Sequence, residues 1–435
     1  MEQMNILILD VGSTSMRGVL FRSDGKILCT NSVQTPHRQE GRLHEQSPVV
    51  LTNGLMEICR QSAVTDKIHA VALTAFRSAP TIVNKHGEAL CSFIMWQDTR
   101  SEEICQELRS QCDDLPRRCG APLSTLQTAT KLTYLRRHQK EVYRRGYKFL
   151  VVPDYLLHCM TGNFVTDRTY GSRSLLMELE ADDWDQELCR RFEVDREKLC
   201  PLVPPGTIIG QVTPAFNRLT GLPSGLPVIT AGGDQQCAAF GNGILDSSSL
   251  LINSGTGAYL LSCLETPPEV QDHVICNTAA IPGRYLVETS VSPCAHRLNT
   301  FLANCYPELQ GSHSKLDDIV TEVYYGQRQN DARAQSACGL YQSLAAAICT
   351  AKSRLPLCCQ QAERIYLSGG LSQSAIYNQI LADTAGRTLY RWRNVQSTAI
   401  GAFASAAVTL ALFPDYLSAL KAVRAYDSCD LYHPH

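Results

Sequence analysis

The chain has 435 residues, 44% of them hydrophobic and 19% charged, which places it among folded globular proteins and makes it too long for one ordinary core. Its 40 Lys and Arg stand against 42 Asp and Glu, a net charge of -2, so neither nucleic acid nor an anionic membrane is an expected partner. The 19 cysteines are scattered, with no CxxC pair and no zinc-ligand spacing. The opening MEQMNILILD lacks the basic and apolar regions of a secretory signal, so free thiols in a reducing cytoplasm, mostly small core residues, are expected.

Residues 6–10 (ILILD) form a compact apolar run that predicts a buried strand. VGSTS follows as a turn, then a second strand over 17–22. Ser23-Asp24-Gly25-Lys26 carries the hairpin signal, and a third strand starts at Ile27. Next come a helix over 48–61, a strand over 68–74 and a hairpin around Asn84-Lys85-His86-Gly87. Helices are expected over 101–112 and 124–139, and a strand over 148–152. The basic run 136–145 (RRHQKEVYRR) predicts a solvated helix face. An apolar run over 226–231 leads into Gly232-Gly233-Asp234-Gln235. The second half then restarts the plan: SLLINSGTGAYLLSC repeats the strand, glycine turn and strand of ILILDVGSTSMRGVLF. The boundary is expected near residues 241–249, giving domains 1–243 and 244–435. RIYLSGGLSQSAIYNQILAD reads as strand, glycine turn and amphipathic helix. The uncharged run 397–413, rich in Ala, Ser and Gly, is at the short limit for a membrane span and predicts the last buried helix, packed closely on a sheet.

Three glycine turns thus follow three strands: Gly12-Ser13-Thr14, Gly255-Thr256-Gly257 and Gly369-Gly370. Backbone N–H groups in such turns form nests that attract anions, and the helix after the third turn adds its dipole. Asp10 precedes the first turn. It is either a turn-forming Asp bonded to nearby backbone or a carboxylate for Mg2+ beside a phosphate. Asp234 is either a helix N-cap or an acid facing a substrate that the two glycines admit. No P-loop, no HRD or DFG set and no dinucleotide fingerprint is present. Phosphate binding would therefore use paired strand–turn–strand elements, one from each half.

In this order the segments resemble the FGGY carbohydrate kinases of the actin/hexokinase-like superfamily. DVGSTSMRGVLFRSDGKIL is similar to that family's first phosphate loop, SGTGAYLL to its second, and TATKLTYLRRHQ to its first signature, with Tyr134 where Trp is usual. HEQSP, the run ending in WQDTR, PDYLLHCMTGNFVTDRTYGSRSLLMEL, GGDQQCAAFGNG and SGGLSQSAIYNQILAD followed by STAIGAFASA complete the likeness. The resemblance implies an α/β chain of two ribonuclease-H-like (actin/hexokinase-type) domains with a cleft between them. The first would bind the sugar and carry the first phosphate loop, and the second would bind ATP. The reaction implied is transfer of the ATP γ-phosphate to a hydroxyl of a small sugar or polyol.

Carried over by position, Asp234 is the base, and its place at a helix start would lower its pKa. Asp10 and Asp234 would lie by Mg2+. Asp10, Gly12, Ser13, Thr14 and Arg17 would serve the phosphates, with Gly255, Thr256 and Gly257 opposite. Gly369, Gly370 and Ser374 would lie near adenine and ribose. Arg77, Ser78, Trp96, Gln235 and Tyr259 would contact the sugar; for Arg77 the alternative is a structural ion pair with Asp98. The chain departs from the pattern at Phe76, where polyol-type members often carry Gln. It also departs between Phe301 and Leu340, where a usual loop is not recognisable, and at Ser292-Pro293-Cys294, so a reshaped nucleotide side is expected. The alternative is a catalytically weak sugar- or nucleotide-binding regulatory protein on the same fold. A homodimer is expected only as the commonest oligomer.

Overall fold

The computed structural model describes residues 3–255, 257–269 and 273–435. The chain folds into two compact units. The first takes Met1–Gly241, Cys276–Tyr285 and Gln396–Tyr426, and the second Asn242–Ile275, Leu286–Val395 and Asp427–His435. The boundary expected at 243/244 falls beside the end of the first unit's long segment.

The first unit is built on a six-stranded sheet of β1 (Asn5–Val11), β2 (Ser15–Arg22), β3 (Ile27–Gln34), β4 (Ala70–Ala75), β5 (Thr207–Gln211) and β6 (Pro227–Gly233). Its order is β5-β6-β4-β1-β2-β3. Every residue of β1 is buried, as its unbroken apolar run requires of a central strand covered on both faces. β3, at the edge, alternates between exposed and half-buried positions over its second half. β1 and β2 form an antiparallel hairpin, while β4 runs parallel to both β1 and β6. That parallel core puts the ends of β1, β4 and β6 side by side: Asp10 is level with Thr74, and Thr74 with Gly232.

The helix Ser397–Thr409 packs on β1, β4 and β6. Nearly all of its residues are buried, and Phe403 stacks on Phe21 with centroids 4.6 Å apart. This is the buried helix the small-residue run predicts, but it is not the last, because Tyr416–Arg424 forms another. The helix Pro48–Ala63 covers β2 and β3.

The strand β9 (Ile275–Thr278) falls almost wholly in the Cys276–Tyr285 segment of the first unit. The second unit's sheet comprises β7 (Ser249–Ser254), β8 (Ala258–Leu264), β10 (Tyr285–Val291), β11 (Arg364–Ser368), β12 (Leu389–Trp392) and β13 (Cys429–Tyr432), in the order β10-β8-β7-β11-β12-β13. A hairpin, β7–β8, again stands beside a parallel strand, β11. The repeat legible in SLLINSGTGAYLLSC and ILILDVGSTSMRGVLF is therefore a repeat of architecture.

The hairpin expected around residues 84–87 forms, with the Gly87 N–H on the Asn84 carbonyl at 3.0 Å, the Asn84 N–H on the Glu88 carbonyl at 3.0 Å and the Leu90 N–H on the Ile82 carbonyl at 2.8 Å. The strand Pro80–Val83 takes its ladder partner from Lys148–Val151. One local expectation is corrected. The basic run 136–145 is split between the helices Thr128–His138 and Lys140–Arg145. Arg136 binds Asp195, and Arg137 binds Glu107 and Glu193, so this face is pinned by ion pairs rather than merely solvated. Most of the cysteines are buried, as their apolar contexts predict.

Candidate active site

In the first unit, β6 ends in Gly232 and Gly233, and the helix Asp234–Asn242 begins at the next residue. Asp234 is thus both the helix start and the first side chain past the strand. The Gln235 N–H donates to its Oδ1 at 2.7 Å. Across β4, Asp10 is the penultimate residue of β1 and is 4% exposed. The Arg17 guanidinium, one strand over and directly opposite in register, donates to its Oδ2 at 2.5 Å.

Burial pushes the Asp10 carboxyl up to about 6, against the pull of Arg17 and with a further push from the Asp234 charge. Burial also raises Asp234, opposed by the Arg77 guanidinium and the backbone N–H of Gln235. The helix start was expected to lower this group; loss of water outweighs the dipole. Two carboxylates close enough to disfavour each other's charge suit a divalent cation, which would relieve both. Among the described residues no cluster of three or more His, Cys, Asp or Glu could encase a metal. Phosphate oxygens and water would supply the remaining ligands.

The two glycines do not clear room for a substrate. A Cβ on Gly233 would meet Gln236 Oε1 at 2.5 Å and Arg77 Cδ at 2.8 Å, and one on Gly232 would meet Thr169 Cγ2 at 3.2 Å. Protein fills that space, and Gly232 is required besides by its φ of +100°. Arg77 lies along Gly233 and donates to Gln235 Oε1. The alternative for Arg77, a structural ion pair with Asp98, is not formed. Asp98 is held by Arg100, at 2.9 and 2.8 Å, and by the His44 N–H, and Arg100 reaches on to Glu45 at 2.7 Å. The WQDTR and HEQSP segments are joined this way.

Ser78 is buried and left-handed, φ 62°, with its hydroxyl 3.5 Å from the Arg173 carbonyl. Its own carbonyl accepts from the fully buried Lys131 Nζ at 2.6 Å. Burial lowers that ammonium to about 7, against the Asp98 charge. Lys131 had no role legible in the sequence, although it is the one charge in residues 119–135. Trp96 is 40% exposed, and among the described residues no hydrogen bond or ring contact ties it to the Arg77–Gln235–Asp234 group. Gly12 closes the first turn by donating to the Ser15 carbonyl at 2.9 Å. Ser13 is half-buried and Thr14 exposed.

In the second unit, Gly255 makes the matching turn, its N–H on the Gly257 carbonyl at 2.8 Å. Thr256 lies outside the described residues. Tyr259 is exposed on β8, its hydroxyl 3.4 Å from where a Cβ on Gly257 would stand. Gly369 has φ +84°, and a Cβ there would strike Asn253 Oδ1 and the Ser254 carbonyl, both at 2.5 Å. Ser374 caps the helix Ala375–Ala385 through the Tyr377 N–H. Gly255, Gly370 and Ser374 line one cavity of about 480 Å³. Its remaining wall includes His313, Asp317 and Tyr341, from the helices His313–Tyr324 and Ala332–Lys352. Tyr341 donates to Asp317 at 2.7 Å. The stretch after Phe301 where the usual loop is not recognisable therefore supplies a helical wall of this cavity.

The chain matches the N-terminal domain of the FGGY family of carbohydrate kinases over residues 5–241 and the C-terminal domain over residues 294–410. It is 28% identical to an L-fuculokinase of Escherichia coli (strain K12) over 60% of this chain and 57% of that relative's length. It is 23% identical to the xylulose kinase of the same organism over 91% and 88%. Among solved structures, a gluconate kinase from Lactobacillus acidophilus superposes with a TM-score of 0.90 at 20% identity, covering 100% of this chain and 94% of that one. A xylulose kinase from Rhodospirillum rubrum also gives 0.90 at 20%, covering 99% and 94%. These likenesses show the fold, an α/β chain with two ribonuclease-H-like (actin/hexokinase-type) domains. With both domain profiles matched in order, the chain belongs to the FGGY family of carbohydrate kinases.

Proposed function

We propose that the chain is an ATP-dependent sugar or polyol kinase in which Asp234 takes the proton of the attacking hydroxyl. The observation that carries this is the position of Asp234. It is a raised carboxyl at the first turn of a helix, beside Arg77 and Gln235 and two strands from Asp10. In this reading Arg77, Ser78 and Gln235, with Trp96 and Tyr259, orient the sugar hydroxyls. Arg17 holds Asp10, and the N–H groups of the turns at Gly12 and Gly255 approach the phosphates. Residues 1–243 carry the sugar and residues 244–435 the nucleotide, in the cavity that includes Gly370 and Ser374. Mg2+ held near Asp10 and Asp234 would neutralise phosphate charge. Phosphoryl transfer rests mainly on alignment and electrostatic stabilisation, so a fixed carboxylate matters more than a strong base. The names of the relatives, fuculose, xylulose, glycerol and gluconate kinases, support a substrate of three to six carbons rich in hydroxyls.

The test is ADP release from Mg-ATP with a panel of ketoses, aldoses, aldonates and polyols, on the wild type and on Asp234→Asn. One sugar should be accepted, and the variant should turn it over about 10²–10⁴-fold more slowly, roughly 3–5 kcal/mol. Near-full activity in the variant overturns the role of Asp234. No turnover with any sugar overturns the kinase.

A further inference from the structure

Just before Asp234 the strand β6 slips out of register with β4, between Thr230 and Gly232. The ladder resumes for the last two residues only, Gly232 on Thr74 and Gly233 on Ala75, where both strands end and two glycines leave the backbone free to turn. A buried cluster from Asp167, Thr169 and Tyr170 adds a second hold there. Asp167 is 1% exposed. Its Oδ1 accepts from the Thr169 N–H and the Thr169 hydroxyl, both at 2.8 Å, and its Oδ2 accepts from the Thr230 hydroxyl at 2.8 Å. With its proton committed to Asp167, the Thr169 Oγ1 is oriented as an acceptor, and the Gly233 N–H donates to it at 2.9 Å. The neighbouring Tyr170 hydroxyl donates to the Gly232 carbonyl at 2.9 Å.

That carbonyl and that N–H belong to one peptide group, and a peptide group is rigid and planar. Gripping both of its ends fixes the orientation of the plane. Only the two soft dihedrals of Gly233 then separate this plane from Asp234. Thr169 and Tyr170 are themselves buried, at 0 and 2% exposure, so they act through the backbone.

We propose that Thr169 and Tyr170 are positioning residues for phosphoryl transfer, clamping the Gly232–Gly233 peptide from both ends, with Asp167 orienting the Thr169 hydroxyl, so that the Asp234 carboxylate is held where the sugar hydroxyl reacts. The proposal rests on the reading of Asp234 as the base. It deepens that reading by naming what aims it.

The experiment uses the full chain, the sugar accepted in the panel and six proteins: wild type, Thr169→Val, Thr169→Ser, Tyr170→Phe, Asp234→Asn and the double variant Thr169→Val/Asp234→Asn. Val matches Thr in shape and cannot accept the Gly233 N–H, whereas Ser can. Small misplacement of a reacting group costs up to about 10²-fold in rate. Thr169→Val and Tyr170→Phe should therefore lower kcat about 10–100-fold with KM for the sugar changed only a few-fold, and Thr169→Ser should restore most of the rate. In the Asp234→Asn background Thr169→Val should cost less than about twofold, because no base is left to misplace. An equal loss in both backgrounds overturns the clamp, since a merely structural residue would behave so. Unchanged kcat in Thr169→Val and Tyr170→Phe, with Asp234→Asn inactive, overturns the clamp alone and leaves the base standing. Full activity in Asp234→Asn overturns the base reading, and the clamp falls with it. If Thr169→Val does not fold, Tyr170→Phe and its double variant with Asp234→Asn carry the same comparison, since a single oxygen is removed.

Discussion

Asp10 has one guanidinium in contact and a second carboxylate close by, and it is almost wholly out of water. Loss of hydration dominates, so the group is held near 6 instead of its ordinary 3.8. The sign for stability follows from linkage. A carboxyl whose folded value is raised binds its proton more tightly in the native state, so its ionisation destabilises the fold as pH rises between the two values and stays costly above them. A shift of about two units amounts to roughly 3 kcal/mol. Asp10→Asn carries no such charge. Without nucleotide or metal, the variant should therefore gain stability relative to wild type between pH 4 and pH 7, by about 3 kcal/mol in denaturant midpoints converted to free energy. A pH-independent difference would refute this account of Asp10. A site that accepts such a cost in the empty protein is suited to a cationic ligand that removes it.

Between elements, a tight constraint is the crossing of the helices Asp234–Asn242 and Ser397–Thr409. A Cβ on Gly241 would stand 2.0 Å from the Ser397 carbonyl oxygen, and one on Gly401 would stand 2.0 Å from the Cys237 carbonyl oxygen. The contact is reciprocal. In each helix a small residue and a glycine four positions apart, Cys237 with Gly241 and Ser397 with Gly401, make a notch into which the other backbone fits. Neither carbonyl can retreat without breaking its helix. Gly401→Ala should destabilise by roughly 3 kcal/mol or more, read as a lower unfolding midpoint, and because the partner helix carries Asp234 it should also lower kcat. A variant with unchanged midpoint would show that the helices can separate freely. The Ala, Ser and Gly content of residues 397–413 made the burial of this helix legible. Its partner was not legible, because nothing in STAIGAFASA says which of several small-residue segments it faces. The same limit hid the clamp. Thr169 and Tyr170 read as ordinary turn residues in TDRTYGS, and only the fold brings the Gly232–Gly233 peptide at the end of β6 against them.

At the scale of the whole chain, the two glycine-turn hairpins and their parallel partners were legible, because β1, β7 and β11 announce themselves as apolar runs ending in glycine. The path of the chain was not. The first unit is completed by Cys276–Tyr285 and Gln396–Tyr426, which return to it between stretches of chain that build the second unit. Hydrophobic periodicity marks an element as buried but not which sheet buries it. The consequence is testable by dissection. A fragment of residues 1–243 keeps all six strands of the first sheet and loses the helix that covers β1, β4 and β6. Ile400 and Phe403 alone, both fully buried, contribute about 3–6 kcal/mol by burial, against a total stability of roughly 5–15 kcal/mol for a typical domain. Phe21 and the carbonyls facing Gly401 would be laid open as well. The fragment should therefore aggregate or show no cooperative unfolding, whereas the same fragment with residues 396–426 joined by a flexible linker should fold and unfold in one transition. Cooperative unfolding of residues 1–243 alone would mean that the returning segments are accessories and that the first half stands by itself.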